Sequence, residues 1–244
     1  MNQNSVLIIC PVFNESHNLD NLIEEFKTTK YFGDLLFINS GSTDNSLEKL
    51  EKSGFSYISL EKNMGVGNAL VQGIKYGLTK NYFTICIIAG NGKMRPKYIN
   101  ELINPIITEG YDFVQGSRYL DSESAKPMPV FRKLMIPFIT FIFSKMFRFD
   151  FTDATCGYRA FKLELIKNST FNIEANWLKG YAFEPYFFSN VILDSELKKK
   201  EIPVTMDYPT DNKKYTKIKP LINYPALFFP YLVAYFFPKV FRRK

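Results

Sequence analysis

The sequence is poor in the residues that most often do metal and acid–base chemistry: 244 residues include one histidine, His17, and three cysteines, Cys10, Cys86 and Cys156. The cysteines are far apart, odd in number and without ligand spacing, which argues against a disulfide framework or a zinc site and suits a reducing compartment. His17 stands just before a helix start and reads as a surface or capping residue rather than a catalyst. Met1-Asn2-Gln3-Asn4 runs straight into an apolar strand with neither a basic stretch nor a cleavage site, so no signal peptide is expected. A clean membrane span is also lacking. Leu221 to Pro238 is uncharged but would reach only about 27 Å as a helix, short of a ~30 Å hydrocarbon core, and Pro225 and Pro230 interrupt it. Lys217 and Lys219 precede it and Lys239, Arg242, Arg243 and Lys244 follow, so a broken helix lying in the interface is the expectation.

What the chain has is apolar and basic. A hydrophobic content of 46% suffices for one sizeable α/β core with an appendage. The net charge of +7 is uneven: residues 1–120 hold 11 Lys/Arg against 12 Asp/Glu, residues 121–244 hold 20 against 12. The cations of the second half sit among Phe and Tyr, around Leu134 to Phe149 and Leu221 to Phe241, which favours a membrane surface with anionic lipids over nucleic acid. Leu134 to Phe149, flanked by Arg132, Lys133, Lys145 and Arg148, reads either as a segment bringing a lipid to the site or as a buried core helix.

Apolar periodicity orders the elements. Val6 to Cys10 reads as a buried strand, Leu19 to Lys27 as a helix, Leu35 to Ile38 as a strand, and a helix through Leu47 and Leu50 would be capped by Ser42 or Thr43. A short strand over Phe55 to Leu60, a helix over Val66 to Leu78, a strand at Phe83 to Ile88, a helix from Pro96 and a strand at Phe113 to Gln115 follow. This alternation predicts a doubly wound, mostly parallel sheet with its site at the carboxyl ends of the strands.

At those ends the motifs fall in a set order. Pro11-Val12-Phe13-Asn14-Glu15 is followed by Asn39-Ser40-Gly41-Ser42-Thr43-Asp44, then Asn63-Met64-Gly65-Val66-Gly67-Asn68-Ala69 with Gly73, then Gly116-Ser117-Arg118-Tyr119. Asp153-Ala154-Thr155-Cys156-Gly157-Tyr158-Arg159, Gly180-Tyr181-Ala182-Phe183-Glu184 and Glu201-Ile202-Pro203-Val204 complete the series. Together they resemble glycosyltransferase family two, and within it the polyprenyl-phosphate sugar transferases, over nearly the whole chain. The resemblance implies a GT-A fold: a Rossmann-like, mostly parallel sheet flanked by helices, with interfacial membrane helices. Residues 1–215 would form the transferase domain, its nucleotide-binding half ending near 120, and residues 216–244 a membrane-associated segment. It also implies a nucleotide-sugar donor, a lipid-phosphate acceptor, inversion, and a peripheral or monotopic place on the cytoplasmic face of a membrane, with room for a homo-oligomer or a membrane protein partner.

The residues implied at the nucleotide are Pro11, Phe13, Asn14, Glu15, Ile38, Ser40, Ala89, Gly90, Asn91 and Lys217. The family's Asp-x-Asp metal motif is missing: Ala89 and Asn91 stand in its places, so Mg²⁺ or Mn²⁺ would lack its usual ligands. Lys93 and Arg95 in the same turn are either a fixed cation for the leaving diphosphate or solvated loop charges at a catalytically degenerate site, with a metal held mainly by the donor phosphates as a third reading. Ser40 replaces the aspartate that would read the base; Asn39 and Ser40 either leave the base open or stabilise the turn. Arg118 and Arg132 suit an acceptor phosphate, and Arg159 either helps them or braces the loop through Asp153. With Asn91 and Lys93 they make the expected catalytic set. Glu184 is a candidate base for a hydroxyl acceptor only, since a phosphate needs none. Asp211 stands where the family has an arginine over the donor phosphates, with Lys213 or Lys214 as substitutes.

Overall fold

A computed structural model of the chain describes residues 5–121, 130–167, 172–208 and 220–237, with 130–132 and 220–224 described as backbone only. Alternating strands and helices run β1 (Val6–Val12), α1 (Ser16–Thr28), β2 (Asp34–Asn39), α2 (Ser46–Ser53), β3 (Ser56–Ser59), α3 (Val66–Thr79), β4 (Thr84–Ile87), α4 (Ile99–Thr108) and β5 (Phe113–Ser117). Then come α5 (Val130–Phe147), β6 (Arg159–Lys162), α6 (Glu164–Lys167), α7 (Phe183–Leu193), β7 (Lys199–Pro203) and α8 (Pro220–Phe236).

The seven strands lie in the order β3-β2-β1-β4-β6-β5-β7. All neighbours are parallel except those of β6, which runs antiparallel to both β4 and β5. The sheet is thus mostly parallel, as its alternating elements require. Strand order reverses between β1 and β4, so a crevice opens where their carboxyl ends diverge.

Both faces are covered, which explains the nearly continuous apolar runs in the strands. Leu7, Ile9, Leu36, Ile38, Ile85 and Ile87 face α3 and α7, while Ile8, Cys10, Leu35, Phe37 and Cys86 face α1 and α4. Burial among these residues drives the Cys10 and Cys86 thiols far up, so neither is reactive.

Two carbonyls join the halves: Gly67 N–H donates to Gly180 O at 3.1 Å and Asn68 N–H to Lys179 O at 2.8 Å. A Cβ at position 67 would lie 2.0 Å from Leu178 O, so only glycine permits this approach. The first amides of α3 are therefore spent on the chain leading into α7.

Candidate active site at the carboxyl ends of the strands

The turn after β1 and the turn after β2 are zipped together. Asn14, at φ 50, donates its N–H to Ser42 Oγ at 3.0 Å and accepts Thr43 N–H on Oδ1 at 2.8 Å. Asp44 accepts Ser16 N–H and Ser46 N–H, one at the start of α1 and one at the start of α2. The capping group is therefore Asp44 and not Ser42 or Thr43, whose hydroxyls serve Asn14 instead. Burial works to raise the Asp44 carboxyl, but hydrogen bonds from Ser46 and Ser16 outweigh it and hold it at about 2.

Of the two residues expected near the base, Asn39 is spent on the turn: its Nδ2 donates to Ser59 Oγ at 2.8 Å and its Oδ1 accepts Ser42 N–H at 3.2 Å. The Ser40 N–H donates to Val12 O at 2.8 Å, and its hydroxyl makes a long 3.5 Å contact to Asn63 Oδ1, which itself accepts Gly65 N–H. Phe13 and Pro11 are half-buried beside this turn; Ile38 is fully buried in the core and has no side-chain surface to offer a ligand.

The turn after β4 faces the first. Gly90 N–H donates to Pro11 O at 3.1 Å, drawing Ala89 and Asn91 against β1. Asn91 Oδ1 accepts Lys93 N–H at 3.2 Å around Gly92, whose φ is +71. Arg95 is committed elsewhere: Nε bonds Glu25 at 2.9 Å and one terminal N–H bonds Asp207 at 2.8 Å, while its carbonyl accepts the Tyr158 hydroxyl. Of the two cations in the turn, Arg95 is thus neutralised by carboxylates and Lys93 lies by the Tyr208 ring, 6.0 Å from its centroid. Among the described residues no group of three or more His, Cys, Asp or Glu is placed to hold a metal ion. Ala89 brings no ligand and the Asn91 oxygen already accepts a hydrogen bond. This donor set does not fit a protein-held divalent cation.

After β5, Arg118 and Asp153 form a buried fork. Arg118 Nε and one terminal nitrogen meet the two Asp153 oxygens at 2.7 and 2.8 Å, with further bonds to Thr155 Oγ1 and the Tyr208 hydroxyl. These four bonds occupy all but one of its five N–H groups. Burial works against the charge, and Asp153 more than offsets it, keeping Arg118 cationic. The arginine that braces this loop through Asp153 is Arg118 rather than Arg159. Arg159 instead bonds Gln115, Cys156 O and Glu184 O and lies 4.7 Å over the Phe188 ring. Glu201 supports the loop from below, accepting Thr152 and Asp153 N–H groups. Arg132 begins α5 with its side chain outside the described residues, as are Asp211, Lys213, Lys214 and Lys217.

Sequence reasoning missed what holds this loop to the last helices. Thr140 on α5 accepts Ala154 N–H at 3.0 Å, and Tyr231 on α8 donates its hydroxyl to Ala154 O at 2.9 Å. The two helices meet there, with Phe143 and Tyr231 stacked at 4.0 Å. On their outer sides Leu134, Phe138, Phe141 and Ile142 of α5, and Phe229, Leu232 and Phe236 of α8, are exposed at helical spacing. The Leu134 to Phe149 segment is therefore only partly a core helix. No described helix is long and apolar enough to cross a membrane.

The family model for glycosyl transferase family 2 matches residues 7–169, which span β1 through α6. The chain belongs to glycosyl transferase family 2. It is 26% identical over 182 residues to a UDP-N-acetylglucosamine–dolichyl-phosphate N-acetylglucosaminyltransferase of Methanococcus voltae, covering 66% of this chain and 71% of that one. It is 25% identical over 185 residues to an undecaprenyl-phosphate mannosyltransferase of Micrococcus luteus, covering 73% and 74%. Among solved structures, glucosyl-3-phosphoglycerate synthase from Mycobacterium tuberculosis superposes with a TM-score of 0.69 at 16% identity, over 97% of this chain and 82% of that one. The glycosyltransferase therefore has the GT-A-like α/β fold that its motifs imply.

Proposed function

We propose that this glycosyltransferase moves a sugar from a nucleotide-sugar to a polyprenyl-phosphate-type lipid at a membrane surface, with inversion, and that Lys93 stands in for a metal ion at the departing diphosphate. The observation that carries the acceptor half is the hold of α5 and α8 on Ala154. It hangs the Asp153–Thr155 loop between two helices whose outer faces are apolar and exposed. Lys133 and Lys145 on α5 lie among these residues, as suits a surface with anionic lipids. The relatives acting on dolichyl phosphate and undecaprenyl phosphate support the same acceptor class.

A phosphate monoester is largely ionised at neutral pH, its second pKa being about 6, so its oxygen attacks without a base. The bond from that oxygen to the anomeric carbon forms as the bond to the nucleoside diphosphate breaks, and the electron pair leaves with the diphosphate. Attack from the face opposite the leaving group inverts the centre. Negative charge grows on the diphosphate, and a fixed ammonium in a partly dry turn stabilises it. Lys93 stands in that turn, its N–H bonded to Asn91 Oδ1, and its neighbour Arg95 is held by Glu25 and Asp207.

A competing reading has a hydroxyl acceptor with Glu184 as base, favoured by the raised Glu184 carboxyl: burial drives it up and Arg159 only partly offsets this. Vesicles containing either undecaprenyl phosphate or the free polyprenol, offered with a panel of UDP-, GDP- and CDP-sugars, separate the two. Product on the phosphate alone is expected. Product on a hydroxyl acceptor, with none on the lipid phosphate under any donor, would overturn the proposal.

A further inference from the structure

Across the sheet edge the site follows a fixed order. The nucleoside turns lie at β2 and β1, the diphosphate turn at β4, and the Asp153–Thr155 loop leads into β6, paired with β4 through Ile87 and Arg159. Between the diphosphate turn and the acceptor loop there must be room for the sugar being transferred. Glu184, in the first turn of α7, brings its carboxylate against Gly157, between the Asp153–Thr155 loop and the start of β6.

Its Oε1 lies 2.6 Å from the point where a Cβ on Gly157 would stand, so the carboxylate occupies space that any other residue at 157 would fill. Gly157 is two residues before Arg159 and beside Tyr158, whose hydroxyl bonds Arg95 O in the diphosphate turn. The chain just before α7 is tied to the start of α3 through Gly180 O and Gly67 N–H. Glu184 is half-buried, and among the described residues nothing hydrogen-bonds its carboxylate; the nearby Arg159 bonds Gln115 and Cys156 O through Nε–H and the Glu184 carbonyl through one terminal N–H. A partly enclosed carboxylate with open acceptor positions is costly unless a ligand completes it.

We infer that Glu184 is the residue that recognises the transferred sugar, its two oxygens accepting hydrogen bonds from sugar hydroxyls of the bound nucleotide-sugar. The inference rests on the proposed function, since an ionised phosphate acceptor leaves this carboxylate no proton to remove. It deepens that reading by assigning the choice of sugar to α7 and the choice of nucleotide to the β1 and β2 turns.

The test compares wild type with Glu184→Gln and Glu184→Ala by calorimetric titration, using whichever of UDP, GDP or CDP the wild type binds and then the matching nucleotide-sugars. Charge-assisted bonds of this kind predict a roughly 10- to 100-fold loss of nucleotide-sugar affinity in the alanine variant. Affinity for the free nucleoside diphosphate should stay within about twofold, which also shows that the variant is folded. The glutamine variant, which turns one acceptor into a donor, should change the ranking of sugars. Equal affinities in wild type and variants overturn the inference, as does an equal loss for diphosphate and nucleotide-sugar. It is likewise overturned if turnover collapses, with loss of the acidic limb of the pH profile, while sugar binding is unchanged, because that is a base. A wild type that binds no nucleotide defeats the proposed function itself, and this inference with it.

Discussion

Replacing Arg118 by methionine separates a structural brace from a phosphate ligand. In the fold Asp153 is fully buried and takes two guanidinium bonds at 2.7 and 2.8 Å from an arginine side chain that is itself 7% exposed. Methionine fills much of the volume but leaves the Asp153 carboxylate with only Thr155 and the residue 118 N–H as donors. Stranding one partner of a buried pair typically costs about 3–5 kcal/mol. For a chain of this size that corresponds to a fall in Tm of roughly 6–20 °C. Removing both partners, as in Arg118→Met with Asp153→Asn, should recover about half of the loss or more, because no buried charge is then left alone. Thermal unfolding of the two single variants and the double variant, followed by circular dichroism, measures the coupling. A Tm for Arg118→Met within about 2 °C of wild type, together with a large loss of lipid-phosphate turnover, would refute the reasoning and return Arg118 to the acceptor.

Gly67→Ala should break the join between α3 and the residues before α7, since the new methyl would meet Leu178 O at 2.0 Å; a loss of more than about 1–3 kcal/mol in urea unfolding checks this. Asp44, held at about 2 against 3.8 when free, contributes stability that is complete above about pH 4 and is lost as pH falls through about 2. Asp44→Asn should flatten that acid limb in a series of Tm measurements. Phe138→Glu on the exposed face of α5 removes one large apolar contact, worth about 1.5–3 kcal/mol when buried, so partitioning into anionic vesicles should drop roughly 10- to 100-fold in a sedimentation assay.

The elements legible in the sequence were those whose signal is local. β1, β2 and α3 announce themselves by apolar runs and glycine spacing, and the alternation of types pointed to the mostly parallel sheet, whereas the reversal of strand order between β1 and β4 came only with the structure. β6 and β7 did not: Arg159–Lys162 is four residues long, and Lys199–Pro203 is an edge strand of charged residues without an apolar period. In the candidate site, the motifs pointed to the turns at the strand ends but not to which side chain bonds which within them. Whether Arg118 or Arg159 meets Asp153, whether Ser42 is taken up by Asn14, and whether Arg95 is held by carboxylates are all decided by partners between 25 and 112 residues away. The hold on Ala154 from Thr140 and Tyr231 is invisible for the same reason, as neither residue carries a local signature.

The most direct test of the account is sugar transfer to undecaprenyl phosphate in vesicles under excess chelator, with wild type and Lys93→Met side by side. The account predicts that the wild type turns over as well with chelator as without it, and that the variant loses about 100-fold or more, in line with the removal of one preorganised charge at the leaving group. Wild-type activity that vanishes with chelator and returns with Mg²⁺ or Mn²⁺, or a Lys93→Met variant with full activity, would contradict it.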